Sequence, residues 1–516
     1  MNETENNPGT GAPERRQLKM PLNFLNMSGF ILALIGVIGL MFLFFAGVFS
    51  KDSSSYVGIG YAVLFGFTIV GIVLFVVGHI RGKQRQNRGE VSSFSEHFLL
   101  THPLMTLFIG SVITVSITLL LGIASYKGYH VTESVEFCGQ TCHSVMKPEW
   151  TTYHESSHAR VKCVECHIGG GADWYVKSKL SGLRQVFAVM ANSYSRPIPT
   201  PIHDLRPARE TCETCHWPKK FIGYRETVKT HFLSDEDNTP YKLRMLIKIG
   251  GEETMMMKGR GIHYHMLLAS KVEYIARDEK RQNIAWVRIK RSDGSVSTFN
   301  QAEKPLTEEE RKTLPVRVMD CMDCHNRPAH KFPSPMDSVN QAMESGVIPL
   351  DLPYIKKEAV KAIDTNYETT EEAVVGIANT LRDFYKENYP DIFEEHNGKV
   401  EVAINGVQEV YQKTIFPEMK TKWSAYPDNI GHRDWQGCFR CHTDQLQSDK
   451  GETIFTTCDK CHLILAQGEN IQSGTVDFEK GLEFRHPIRE GDDENEKMNE
   501  YTDCSDCHTG GAETYE

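Results

Sequence analysis

Three apolar stretches in the first quarter of the chain, seven closely similar Cys/His motifs in the remainder, and one run of strand-like alternation among those motifs predict the fold class. It is a membrane-anchored chain with three N-terminal transmembrane helices, followed by a mostly α and irregular region packed around bound groups, with a small β insertion. The 516 residues allow several domains. A formal net charge of -10 at pH 7 speaks against nucleic acid as a partner.

The apolar stretches are "FLNMSGFILALIGVIGLMFLFFAGVF" (24–49), "VGIGYAVLFGFTIVGIVLFVVG" (57–78) and "PLMTLFIGSVITVSITLLLGIA" (103–124). Each approaches the ~20 residues that cross a bilayer. The first is too long, and lacks a convincing small-residue cleavage site, for a removable signal peptide. Residues 1–22 are then a cytoplasmic tail and 23–124 the membrane region. Arg15, Arg16 and Lys19 precede the first stretch, and Arg81, Lys83, Arg85 and Arg88 separate the second from the third, whereas the loop "SKDSSSY" is balanced. The positive-inside rule therefore puts the N-terminus in the cytoplasm of a bacterium and residues 125–516 in the periplasm, outside the inner membrane. The stretches hold no Asp, Glu, Lys or Arg and no central histidine, so nothing marks an ion path or an electron path across the bilayer.

Beyond the membrane region, Cys-x-x-Cys-His recurs six times: Cys163, Cys166, His167; Cys212, Cys215, His216; Cys321, Cys324, His325; Cys438, Cys441, His442; Cys458, Cys461, His462; and Cys504, Cys507, His508. This is the attachment signature of c-type haem. On a helical turn the two sulfurs share one face, where they reach the two vinyl groups of one porphyrin edge, and the next residue falls under the iron. Structural zinc would not require a histidine after every second cysteine, and a disulfide framework would not require any. A seventh motif, "CGQTCH", has three residues between Cys138 and Cys142, with His143 following. Residues four apart still share a helical face, so the insertion is expected to bulge outward and leave the attachment intact. All fourteen cysteines are then used, and seven covalently bound c-type haems, each with iron held by its motif histidine, make this a multihaem cytochrome c.

The motifs divide the rest of the chain. Residues 125–334 carry the first four, with a β insertion at about 239–300 where "YKLRMLIKIGG" and "KVEYIARDEKRQNIAWVRIKRSDGSVSTFN" alternate around an Asp-Gly turn. Residues 335–425 form a helical connecting segment, shown by the amphipathic "TTEEAVVGIANTLRDFYKENY" with its opening Thr cap. Residues 426–516 form a C-terminal domain with the last three motifs. Haem electronics depend on the second axial ligand, and eleven histidines outside the motifs lie beyond the membrane: 130, 154, 158, 203, 231, 263, 265, 330, 396, 432 and 486. Seven irons need at most seven, so at least four are ordinary. His158 and His330, beside motifs, are the first candidates; His263, His265, His432 and His486 are further ones with their pairing open.

The segments "FCGQTCHSVM", "SSHARVKCVECH", "KSKLSG", "TCETCH" and "CMDCHNRPAH", within 136–334, resemble the NapC/NirT/NrfH family of membrane-anchored, quinol-oxidising multihaem cytochromes. The resemblance implies that His158 ligates the fourth haem, His330 the second and Met146 the first, and that Lys179 lines a quinol site. Two departures stand out: the first motif is longer by one residue on each side of His143, and the position of a family carboxylate falls near Gln185 and Val186, leaving Gln185 as the polar candidate there. The expected activity is that of a quinol dehydrogenase: menaquinol is oxidised at the periplasmic face, and electrons pass to periplasmic multihaem cytochromes in anaerobic or extracellular respiration. A nitrite-type terminal reductase is one alternative, weakened by the absence of a lysine-ligated Cys-x-x-Cys-Lys motif. A relay serving a separate quinol dehydrogenase is another.

Overall fold

The computed structural model describes residues 24–49, 55–88, 126–141, 143–168, 172–202, 207–250, 261–266, 271–291, 293–454, 457–469, 480–487 and 508, with isolated positions between 112 and 124 and at 471. The tail 1–22, nearly all of the third apolar stretch, Cys142, Cys504, Cys507, His203 and the side chain of His143 lie outside the described residues. The chain divides into two compact units, residues 1–132 with 170–179, and residues 133–169 with 180–516.

In the first unit, α1 (Phe24–Phe49) packs on α2 (Ser55–Asn87). A Cβ on Gly29 would lie 2.4 Å from the Phe75 nitrogen, and one on Gly71 would lie 2.3 Å from that of Ala33. The two backbones touch there, a close approach that small residues permit. Phe30, Ile38, Phe65 and Val73 face outward. Within α2, Val63–Arg85 has the length and apolarity to cross a bilayer, with mean hydropathy 2.5. It is the one such helix among the described residues; the apolar part of α1, Phe24–Leu40, is shorter.

The second unit opens with short helices that carry the early motifs: α3 (Val135–Gln140), α4 (His143–His154), α5 (Cys163–His167), then α6 (Ala172–Met190), whose first residues belong to the other unit, and α7 (Ala208–Cys212). Two antiparallel sheets follow. One has the order β1 (Gly223–Phe232), β2 (Pro240–Gly250), β8 (His462–Gly468); the other runs β6 (Arg317–Val318), β3 (Lys271–Ala276), β4 (Ile284–Lys290), β5 (Val296–Gln301), β7 (Leu446–Ser448). The β region thus begins at Gly223, earlier than expected from sequence. It also recruits β7 and β8 from beyond residue 426, with Ile247 opposite His462 and Phe299 opposite Ser448. The boundaries at 334 and 425 are therefore crossed by both sheets.

The connecting segment supplies the largest apolar core. Helices α8 (Pro335–Glu344), α9 (Ile355–Asp364), α10 (Thr370–Asn388) and α11 (Asn397–Thr414) bury Val339, Ile355, Ile363, Ile377, Leu381, Val400, Ile404 and Val407. Thr369, in extended backbone, caps α10 by accepting from the Glu372 N–H at 3.1 Å. A Thr cap of this kind contributes roughly 1 kcal/mol.

Candidate metal centres

Four of the regular motifs are closed by local backbone bonds. His216, His325 and His442 donate N–H to the carbonyls of Cys212, Cys321 and Cys438 at 2.8, 2.8 and 3.0 Å, and Cys461 donates to Cys458 at 3.2 Å. The described cysteines form no disulfides.

The stretched first motif is built differently. Its first cysteine is on α3, which Ser134 caps by accepting from the Phe137 N–H at 3.1 Å. His143 opens the separate helix α4. Gln140 and Thr141 are exposed as an outward bulge requires, but Gly139 is buried. A Cβ there would lie 1.8 Å from Cε3 of Trp150, so the insertion is packed inward at one point.

Six motif histidines each face a histidine from outside the motifs. Ring centres are 6.3 Å apart for His167 and His330, 6.1 Å for His216 and His158, and 6.2 Å for His325 and His263. They are 5.7 Å apart for His442 and His265, 6.3 Å for His462 and His432, and 5.8 Å for His508 and His486. A metal-bound imidazole nitrogen sits ~2 Å from its ion, so two rings on opposite sides of one iron have centres roughly 6 Å apart. All six pairs fit that geometry.

Hydrogen bonding points the same way. Nδ1 of His158, His330, His263 and His265 donates to the carbonyls of Pro328, Glu149, Ile249 and Ile262 at 3.1, 3.1, 3.0 and 3.1 Å. Nδ1 of His442 and His486 donates to Ile454 and Pro487 at 3.1 and 3.0 Å. A proton on Nδ1 leaves the Nε2 lone pair free, and the carbonyl fixes the ring's direction, the usual outer support of a ligating histidine. Burial holds His167, His263, His265, His325 and His442 below the usual imidazole range and takes His330 to about 4. Burial thus favours the neutral ring, the state that ligates metal.

One expectation is corrected. His158, assigned by resemblance to the fourth motif, stands opposite His216 of the third. The fourth motif's His325 is met by His263, which the β region delivers. Elsewhere, Met146 is half-buried on α4. Lys179 on α6 donates to Thr132 Oγ1 at 3.2 Å, and the exposed Gln185 donates to Ser181 at 3.3 Å. Three other described histidines are engaged otherwise: His154 donates to Trp150 at 2.8 Å, His130 packs on Tyr126, and His231 accepts from Asn340 at 3.2 Å.

The motif pattern did not reveal the support inside the fourth site. Asp323, between Cys321 and Cys324, is 2% exposed and accepts from Tyr274 Oη at 2.6 Å, Arg317 Nε at 2.7 Å and Arg281 Nη1 at 3.2 Å. The only signal for it was an acid at a motif's interior position, which solvation explains equally well.

The NapC/NirT cytochrome c family, N-terminal region, matches residues 101–198. The chain is 42% identical over 498 residues to the cytochrome c-type protein ImcH of Geobacter sulfurreducens, covering 95% of this chain and 96% of that one. It is 33% identical over 78 residues to the cytochrome c-type protein NrfH of Wolinella succinogenes, 14% of this chain and 44% of that one. No solved structure matches. With an N-terminal region of this type and a relative matched along almost its whole length, the chain belongs to the NapC/NirT cytochrome c family, membrane-anchored haem proteins of electron transport.

Proposed function

We propose that the chain carries seven covalently bound c-type haems, oxidises menaquinol at the periplasmic face of the inner membrane, and passes the electrons to soluble periplasmic cytochromes. The supporting observation is the set of six imidazole pairs at the separation of two trans ligands. A pair of strong ligands leaves an iron no open position for a small substrate, which favours electron transfer over nitrite-type reduction.

Bound haem supplies one-electron chemistry by cycling between ferric and ferrous iron. In this reading the paired cysteines tether each group, with Cys138 and Cys142 serving the first, and the paired histidines hold the metal in both oxidation states. Met146 would complete the first site, whose motif stands apart in length. Menaquinol loses two electrons and two protons in becoming menaquinone. Lys179, with Gln185 further along α6, would hold the quinol oxygens while the protons leave to the periplasm. Three membrane spans with the N-terminus inside would keep the haem region on that side, as the loop charges favour.

The test is anaerobic mixing of purified, detergent-solubilised protein with a menaquinol analogue, following the reduced c-haem bands. Rapid reduction that slows in Lys179→Ala supports the proposal. Reduction by dithionite but not by quinol would overturn it in favour of a relay fed by a partner.

A further inference from the structure

The two histidines of "IHYH" serve different motifs. His263 faces His325 of the fourth motif, and His265 faces His442 of the fifth, although one residue separates them in the chain. They sit on a single 3₁₀ turn, Ile262–Met266. We propose that this turn is a strap across two irons: His263 is the distal ligand of the fourth haem and His265 that of the fifth. It thereby joins the N-terminal four sites and the C-terminal three into one series. The proposal rests on the haem reading above.

The backbone around the turn is built to hold it in place. β2 ends at Gly250, and the chain returns at Gly261, whose φ is +133°. A Cβ on Gly261 would lie 2.7 Å from Gly250 Cα and from its nitrogen, so the two backbones touch and form a neck. Only glycine combines that conformation with that approach. The same end of β2 serves two sites: the Ile249 carbonyl fixes His263, opposite the fourth motif, while Lys248 N–H donates to the Cys461 carbonyl at 2.8 Å and Ile247 pairs with His462, both of the sixth. The fourth and sixth motifs therefore share one strand end as scaffold, and the turn that follows it carries His265 to the fifth.

Consecutive motifs also adjoin in chain order. α3 packs on α5, α5 on α7, and α7 on the turn Cys321–Asp323. Cys163 neighbours Cys138, and Cys212 neighbours Cys321. Cys324 neighbours Cys438 and Cys441, and Cys438 neighbours Cys461. The strap lies at the step from fourth to fifth, where the family-like segment ends and the added C-terminal sites begin.

The two sites carry distinguishable signatures. The His263 and His325 rings are within 9° of parallel, whereas those of His265 and His442 cross at 72°. Near-parallel axial imidazoles give a rhombic low-spin ferric signal in electron paramagnetic resonance, and crossed ones a highly anisotropic signal. In the purified holoprotein, with seven haems verified by pyridine haemochrome, His263→Met is expected to remove one rhombic signal and His265→Met one highly anisotropic signal. Each should add one sulfur-to-iron charge-transfer band. Gly261→Ala is expected to disturb both signals together. Should the methionine variants fail to accumulate, His263→Gly and His265→Gly grown with imidazole replace them, and exogenous imidazole should restore the lost low-spin centre in each. Unchanged spectra in both His263 and His265 variants, with one centre altered in His330→Met, would overturn the strap and leave the haem reading intact. No change in any of the three would overturn the haem pairing itself.

Discussion

Replacing Gly139 by alanine tests whether the stretched first motif is a packed structure or a tolerated insertion. Gly139 lies within α3, where alanine would ordinarily gain about 0.5–1 kcal/mol over glycine. Here the new methyl would meet Cε3, Cζ3 and Cδ2 of Trp150 at 1.8, 2.6 and 2.7 Å. Carbon atoms pack at about 3.5–4 Å, so the indole must retreat by roughly 2 Å or α3 must shift by as much. Overpacking of that kind costs about 1–3 kcal/mol, which outweighs the helix gain and leaves a net loss of up to ~2 kcal/mol. Gly182 on α6 provides the control, because nothing lies within 4 Å of the position its Cβ would take. Gly182→Ala is expected to be neutral or stabilising by up to about 1 kcal/mol. The assay is the denaturant midpoint of the holoprotein, with haem content per chain measured on the same samples. A Gly139→Ala protein as stable as Gly182→Ala, with full haem content, would refute the reasoning.

Other outcomes follow from the same geometry. Asp323→Ala leaves Arg317, Arg281 and Tyr274 without their shared acceptor and should cost about 2–4 kcal/mol, the arginines being partly exposed; unfolding midpoints and retention of the fourth haem check it. Lys356 is fully buried, donates to the Met336 carbonyl at 2.8 Å, and is held well below the ordinary lysine range by desolvation, with Asp337 opposing and Arg433 reinforcing the shift. The folded chain then binds fewer protons at this site than the unfolded one, so its contribution to stability should rise with pH up to the ordinary lysine value of 10.5. Lys356→Met should raise the midpoint at neutral pH and flatten that rise; a steeper rise would contradict the assignment. Thr369→Ala should lower stability by about 1 kcal/mol through loss of the α10 cap, with unchanged haem spectra.

The local features were legible in the sequence. The six regular motifs declare both sulfurs and the first axial histidine through spacing alone, and α10 announced itself by apolar period and Thr369. What could not be read were pairings set by distant chain. His216 is met by a residue 58 positions earlier, and His263 reaches His325 only because β2 and the Gly250–Gly261 neck deliver it there. The family pattern misdirected His158 because it carries no information about the β region that supplies His263. Strand β1, "GYRETVKTHF", was missed because its alternation is mostly polar on a half-exposed surface. The recruitment of β7 and β8 depends on register with β5 and β2, which no local window contains.

The most direct test of the central claim is the spin state of the oxidised, purified holoprotein, measured by electron paramagnetic resonance together with near-infrared magnetic circular dichroism. The paired histidines require six low-spin centres with two imidazole ligands, two of them from nearly parallel rings, those of His263 with His325 at 9° and His432 with His462 at 14°. None of these six should bind cyanide or nitrite. A high-spin centre among them that takes up either ligand would contradict the account and favour a terminal reductase.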